Sequence, residues 1–111
     1  MLSVCCLMPT YGRPSLVQNS LACFLAQDYP NKYLIILDDA WQITVQNNEN
    51  WEVMSTRKRF PSLPHKYDHM RRYTGADVLM TWDDDDVYLP WHISSHVKAL
   101  EDSGSMWSHP E

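Results

Sequence analysis

Four consecutive aspartates, Asp83 to Asp86, follow directly on the run Ala76-Asp77-Val78-Leu79-Met80-Thr81-Trp82. Hard divalent cations prefer carboxylate oxygens, and magnesium keeps positions open for phosphate. An apolar strand that delivers acids to its own C-terminal end therefore points to chemistry on a phosphorylated substrate. Two more groups fit that chemistry. Asp38-Asp39 follow the apolar run Tyr33-Leu34-Ile35-Ile36-Leu37, and Tyr11 follows an apolar run at residues 2–8. An aromatic ring can stack on a nucleobase, and a carboxylate can accept hydrogen bonds from a base or ribose. A further pair of acids can hold the cation that neutralises a diphosphate.

These groups meet only if parallel strands carry them to one rim, where open α/β sheets bind their ligands. Residues 2–8 read as a strand buried on both faces and ended by Pro9. Pro9-Thr10-Tyr11-Gly12-Arg13-Pro14 reads as a loop, and Ser15 as a helix N-cap. Leu16, Val17, Ser20, Leu21, Phe24 and Leu25 recur at helical spacing, with the leucines and Phe24 as core. Asp28-Tyr29-Pro30-Asn31 ends that helix, and residues 33–37 form the second strand of a βαβ unit. Short strands are expected at Ile43-Thr44-Val45 and Trp51-Glu52-Val53-Met54. A helix is expected over Pro64 to Tyr73 with Tyr67 and Met70 inward and Gly75 as C-cap. Residues 76–82 form a further apolar strand. Pro90 opens a last helix that presents Ile93, Val97 and Leu100. The fold class is α/β, a mainly parallel, Rossmann-like sheet flanked by helices.

The chain of 111 residues is 44% hydrophobic and 21% charged, which is globular. One domain is expected over residues 1–102, with 103–111 as a tail. Trp107-Ser108-His109-Pro110 resembles the start of a streptavidin-binding purification tag and departs from it at Glu111. The net charge of −5 argues against nucleic acid as the main partner. Arg57-Lys58-Arg59 is a short basic run that reads as a solvated loop. No apolar run approaches a membrane span, and the N-terminus reads as a strand, not a signal peptide. The three cysteines match neither a disulfide framework nor a zinc spacing, so free thiols in the cytoplasm are expected.

The ordered motifs resemble the N-terminal part of a family 2 glycosyltransferase with the GT-A fold. They are Ser3-Val4 through Met8-Pro9-Thr10-Tyr11-Gly12-Arg13-Pro14, Gln27-Asp28-Tyr29-Pro30, and Leu34-Ile35-Ile36-Leu37-Asp38-Asp39. Lys66, Tyr73-Thr74-Gly75-Ala76-Asp77, Trp82-Asp83-Asp84-Asp85-Asp86 and Leu89-Pro90 complete the series. The resemblance implies a nucleotide-diphosphate sugar as donor, a UDP-sugar first, with Mg²⁺ or Mn²⁺. It implies that Pro9, Tyr11 and Arg13 belong to the donor-binding loop, that Asp39 contacts the base and that Lys66 approaches the donor. Asp83 and Asp85 would be the acids of the Asp-x-Asp motif and the metal ligands, with Asp84 a ribose contact. Asp86 would order the loop or cap the next helix. Where the family usually has Gly-Ser after the paired acids, this chain has Ala40-Trp41. The acceptor half and its general base are not visible, so the catalytic residue is unknown. An open edge left uncovered implies a homo-oligomer or a second chain.

Other readings of the same residues compete. His65/His69 and His92/His96 are each four apart, as on zinc helices, but no glutamate follows the first histidine and no third ligand is evident. A calcium loop starting at Asp83 would need glycine at its sixth position and glutamate at its twelfth; Tyr88 and Ser94 stand there. Trp41 and Trp51 suit burial or loop packing at least as well as a sugar platform. The functional rivals are a non-catalytic nucleotide-binding module and an interaction protein that keeps half of a GT-A fold.

Overall fold

The computed structural model describes residues 1–103; the tail sequence that resembles an affinity tag lies outside the described residues. The described chain forms β1 (Val4–Thr10), α1 (Pro14–Leu25), β2 (Lys32–Asp38), β3 (Gln46–Asn47), β4 (Trp51–Ser55), α2 (Leu63–Arg71), β5 (Val78–Thr81) and α3 (His92–Ser103). The sheet order is β3-β4-β2-β1-β5. β1, β2, β4 and β5 run parallel, and only the short β3 is antiparallel, against β4.

Strand periodicity sorts the core into two layers. Val4, Cys6 and Met8 of β1 and Leu34 and Ile36 of β2 face α1 and α3, where they meet Val17, Phe24, Ile93 and Val97. Cys5, Leu7, Ile35 and Leu37 face the other way, onto Met70 of α2. Both faces of the central strands are thus covered, which explains their unbroken apolar runs. Tyr67 and Met70 do pack inward from α2, as the spacing predicts. Leu16 and Leu25 do not join the core; they are 36% and 48% exposed, at the edges of the buried stripe of α1.

Several boundaries differ from the sequence reading, each for a local reason. β1 continues through Pro9 to Thr10, paired with Leu37 and Asp38. Leu7 turns its carbonyl toward β5, where it accepts the Trp82 N–H. Pro9, two residues on, faces the same side beyond the last paired residue of β5, so its missing donor is not needed there. α1 starts at Pro14, whose fixed φ suits a first helical position, and Arg13 rather than Ser15 is the N-cap. α2 ends in a right-handed Arg72, whose N–H donates to the His69 carbonyl while the Tyr73 N–H donates to that of Met70, so Gly75 caps nothing. β5 is shorter than 76–82 because Asp77 is tied to Ser3: its N–H donates to Ser3 Oγ, and its carboxylate accepts the Ser3 N–H at 2.8 Å.

The expected strand at 43–45 is absent, and the pairing falls at Gln46–Asn47. The cause is Asp38. Its carboxylate accepts the N–H groups of Ala40, Gln42 and Ile43 and the Ser55 hydroxyl, at 2.8–3.0 Å. Amides wrapped around a side chain in this way cannot also serve a ladder. Pro90 precedes α3 rather than opening it. Its carbonyl accepts the Asp28 N–H at 2.8 Å, while Gln27 Oε1 accepts the Ile93 N–H at 3.0 Å in the first turn of α3.

Candidate functional site

The parallel strands deliver their C-terminal ends to one rim, and a cleft of about 630 Å³ opens there. Pro9, Tyr11, Arg13, Asp39, Lys66, Asp83, Asp84 and Asp85 all line it. Every residue singled out from the sequence for a donor or a metal is therefore brought together, from the ends of β1, β2 and β5 and from α2. Asp86 lies outside this cleft, in a neighbouring one of about 480 Å³ that shares Asp83.

The acidic loop is held by apolar packing behind it. Trp82 is fully buried, stacks on Tyr88 with centroids 3.8 Å apart, and meets Phe24 edge-on at 5.9 Å. Its indole N–H donates to the Ser20 carbonyl at 3.1 Å, and the Ser20 hydroxyl donates to the Asp83 carbonyl at 2.7 Å. The Asp83 N–H donates to the Tyr88 hydroxyl at 2.8 Å. A turn of α1 and two aromatic rings thus anchor the backbone on which the acids stand.

The acids have different surroundings. Asp84 is buried; it accepts the Thr10 hydroxyl at 2.7 Å and an Arg13 N–H at 3.3 Å. Asp85 is exposed and touches Arg13 only at 3.5 Å. Asp83 is exposed as a residue, yet its carboxyl pKa is raised. Desolvation by nearby protein is the largest cause, followed by a hydrogen bond with Asp86 and then by repulsion from Asp86, Asp85 and Asp84.

Asp39 is packed under the rim. Its side chain is 1% exposed; one oxygen accepts from Lys66 Nζ at 2.6 Å and the other from the Phe60 N–H at 2.8 Å. Lys66 Nζ also donates to the Thr10 carbonyl at 2.8 Å, so it joins β1 to β2 beneath the cleft. Beside it, burial pushes the Asp38 pKa up, but the three backbone donors and Ser55 outweigh burial and hold it below the usual carboxylate range. Where the resemblance led to an expected glycine turn, Trp41 adopts φ 58°, a left-handed backbone, and Arg57 lies over its exposed ring at 4.9 Å.

Residues to which the sequence reading gave no site role also line the cleft, notably Thr10, Arg59, Phe60 and Tyr67. The basic run at 57–59 carried the one available signal, and its placement depended on how the loop after β4 folds back. The histidines have local roles: His65 is exposed and its Nδ1 meets the Ser62 hydroxyl, His69 sits against Phe60 and Tyr73, and His92 against Trp82, Tyr88 and His96. Among the described residues, no three His, Cys, Asp or Glu side chains are grouped to hold a metal by themselves. Trp51 packs against the core, whereas Trp41 stays at the surface.

The family described as Glycosyl transferase family 2 matches residues 5–106. The chain belongs to that family. Solved glycosyltransferases share its fold. One is "Mannosyltransferase PcManGT from Pyrobaculum calidifontis in complex with GDP-Man and Mn2+", at 18% identity and TM-score 0.75, over 89% of this chain and 32% of that one. Another is S. aureus TarS 1-349 in complex with UDP-GlcNAc, at 15% identity and TM-score 0.75, over 91% of this chain and 32% of that one. The family 2 chain described here therefore spans 32% of the length of each of these structures. No curated protein matches it. The sheet of four parallel strands and one antiparallel strand is the Rossmann-like arrangement of these GT-A neighbours. Among the described residues, no helix is long and apolar enough to cross a membrane.

Proposed function

We propose that this chain is the donor-binding part of a glycosyltransferase that uses a nucleotide-diphosphate sugar, a UDP-sugar first. The observation that carries this reading is the single cleft lined by Tyr11, Asp39, Lys66, Asp83 and Asp85, which come from four separate segments. Tyr11, 46% exposed, offers a ring face for the base. Arg13 and Lys66 stand where donor phosphates and hydroxyls would approach, and Pro9 shapes the wall. Asp84, already held by Thr10 and Arg13, offers its remaining lone pairs to a ribose hydroxyl.

Asp83 and Asp85 would hold Mg²⁺ or Mn²⁺. They fit such a cation: both are exposed hard-oxygen donors on the cleft, and the negative charge of Asp84, Asp85 and Asp86, which adds to desolvation in raising the Asp83 pKa, is charge that a dication relieves. Two carboxylates leave the remaining positions to donor phosphates and water. When bound, the cation would neutralise charge on the leaving diphosphate. The TarS and mannosyltransferase complexes, with UDP-GlcNAc in one and GDP-Man with Mn²⁺ in the other, support this donor class.

Calorimetric titration with UDP, with and without Mn²⁺, tests the reading. The expected result is metal-dependent binding that Asp85→Ala weakens by about tenfold or more. No binding at millimolar UDP would leave the interaction-protein reading. The span of 32% of the neighbours' length keeps a non-catalytic nucleotide-binding module as the second reading. Turnover of a UDP-sugar, even slow hydrolysis, separates the enzyme from the module.

Two attributes follow the same reading. The buried thiols of Cys5 and Cys6, pushed up by desolvation to about 11 and well above the ordinary value, stay protonated and suit a reducing cytoplasm. Val87, Leu89 and Trp91 are exposed beside the acidic loop, and a second copy or second chain would cover them. Sedimentation velocity checks self-association.

A further inference from the structure

Three cations line the cleft: Arg13, Arg59 and Lys66. Lys66 is bound to Asp39, and Arg13 to Asp84 and Asp85. Arg59 makes no ion pair among the described residues. Its guanidinium lies over the Tyr11 ring, 4.0 Å from the centroid. The backbone around Arg59 is tied down at both ends. The Thr56 N–H donates to the Asp38 carbonyl at 2.8 Å, and the Phe60 N–H donates to Asp39 Oδ2 at 2.8 Å. Between these anchors residues 57–59 are exposed. The loop is therefore placed firmly over the Tyr11–Asp39 end of the cleft, while the Arg59 side chain keeps the freedom of an exposed, unpaired stem.

We infer that Arg59 is the second wall of the nucleobase slot. The base of a nucleoside diphosphate enters between the Tyr11 ring and the Arg59 guanidinium. This inference rests on the donor-binding reading above and adds a residue to it. A guanidinium is planar and weakly hydrated, and it stacks on π faces. Entry of a base exchanges one ring–cation contact for two, the base on the ring and the guanidinium on the base. Phe60, next to Arg59 and bonded to Asp39, holds this wall beside the carboxylate that the resemblance connects with the base. Arg59 thus acts on binding and orientation of the donor, not on the bond that breaks.

Uridine and UDP, titrated by NMR with saturating Mg²⁺ into the full chain and into Arg59→Ala and Arg59→Lys, test the inference. Arg59→Ala is expected to weaken uridine and UDP by a similar factor of about five. Arg59→Lys keeps the charge but loses the plane, and recovers only part of the loss. Loss confined to UDP overturns the slot and makes Arg59 a phosphate ligand. Unchanged or tighter binding of both also overturns it, since Arg59 would then merely shield Tyr11. Failure of the unaltered chain to bind UDP overturns the donor-binding reading and this inference with it. UDP binding that is the same in the unaltered chain and in Arg59→Ala overturns this inference alone.

Discussion

Lys66 carries its charge into a place where water cannot screen it. Its ammonium and the Asp39 carboxylate are 9% and 1% exposed as side chains and lie 2.6 Å apart. A buried pair of this kind adds little net stability, yet removal of one partner strands the other. Lys66→Met is therefore expected to destabilise the fold by about 3 kcal/mol in urea unfolding, and a second change, Asp39→Leu, to restore most of it. Should the single change cost under about 1 kcal/mol, the ion pair is not the tie between β1, β2 and α2 described above. Both residues were identifiable in the sequence through a motif resemblance. Their mutual bond was not, because 27 positions separate them and only the parallel sheet closes that gap. Thr10 was invisible for a related reason. A threonine at a strand end has no chemical signature until Asp84 arrives from 74 residues away.

At the scale of elements, two junctions hold the site in shape. Gln27, at the end of α1, is 5% exposed; its amide donates to the Leu89 carbonyl at 2.8 Å and its Oε1 accepts the Ile93 N–H. It therefore caps α3 from a different element, in the role that a local serine or aspartate usually fills. Gln27→Ala leaves a buried donor and acceptor unmade and is expected to cost about 1–3 kcal/mol. Amide exchange in the first turn of α3 should quicken with it; unchanged protection there would refute the cap. The second junction is Gly12, between Tyr11 and Arg13, with φ +69° and nothing within 4 Å of a built Cβ. Gly12→Ala meets no clash but pays for a left-handed backbone, about 1–2 kcal/mol in thermal or urea unfolding. A loss near zero would mean that the loop takes another path. Strand and helix identities were legible because runs of apolar residues and their periods are local properties. Boundaries were less legible. The Asp38 carboxylate diverts the amides at 40, 42 and 43, and the Gln27 and Asp28 contacts move the start of α3 past Pro90. A one-dimensional pattern holds no record of a side chain that takes backbone donors from a ladder.

For the whole molecule, α1 and α3 on one face and α2 on the other seal the parallel sheet and leave its C-terminal rim as the functional surface. The same burial sets a pH dependence. His92 is held below the ordinary 6.5 first by desolvation and then by the charge of His96, and His96 by desolvation. The unfolded chain therefore takes up these protons first as pH falls. The stability contributed by the neutral pair is complete above the ordinary value of 6.5 and is lost as pH drops through the lower folded values. Urea unfolding between pH 7 and pH 5 should show this loss, and His92→Gln should flatten it. An equal pH dependence in the variant would exclude His92 as its source.

The residue order by itself determined the α/β class, the three strands that matter, and much of the set of side chains that share the cleft. The strands, Tyr11 and the acids follow from local hydrophobic period and from the rule that parallel strands end on one side, while Pro9, Arg13 and Lys66 came from the motif resemblance. Only the tertiary structure decided which members of that set are free to meet a ligand. Asp39 and Asp84 are already satisfied by Lys66, Phe60, Thr10 and Arg13, while Asp83, Asp85, Tyr11 and Arg59 remain exposed. Burial and hydrogen-bond partners come from distant segments packed together, and composition along a chain cannot encode which of several equal acids the folding leaves open to water.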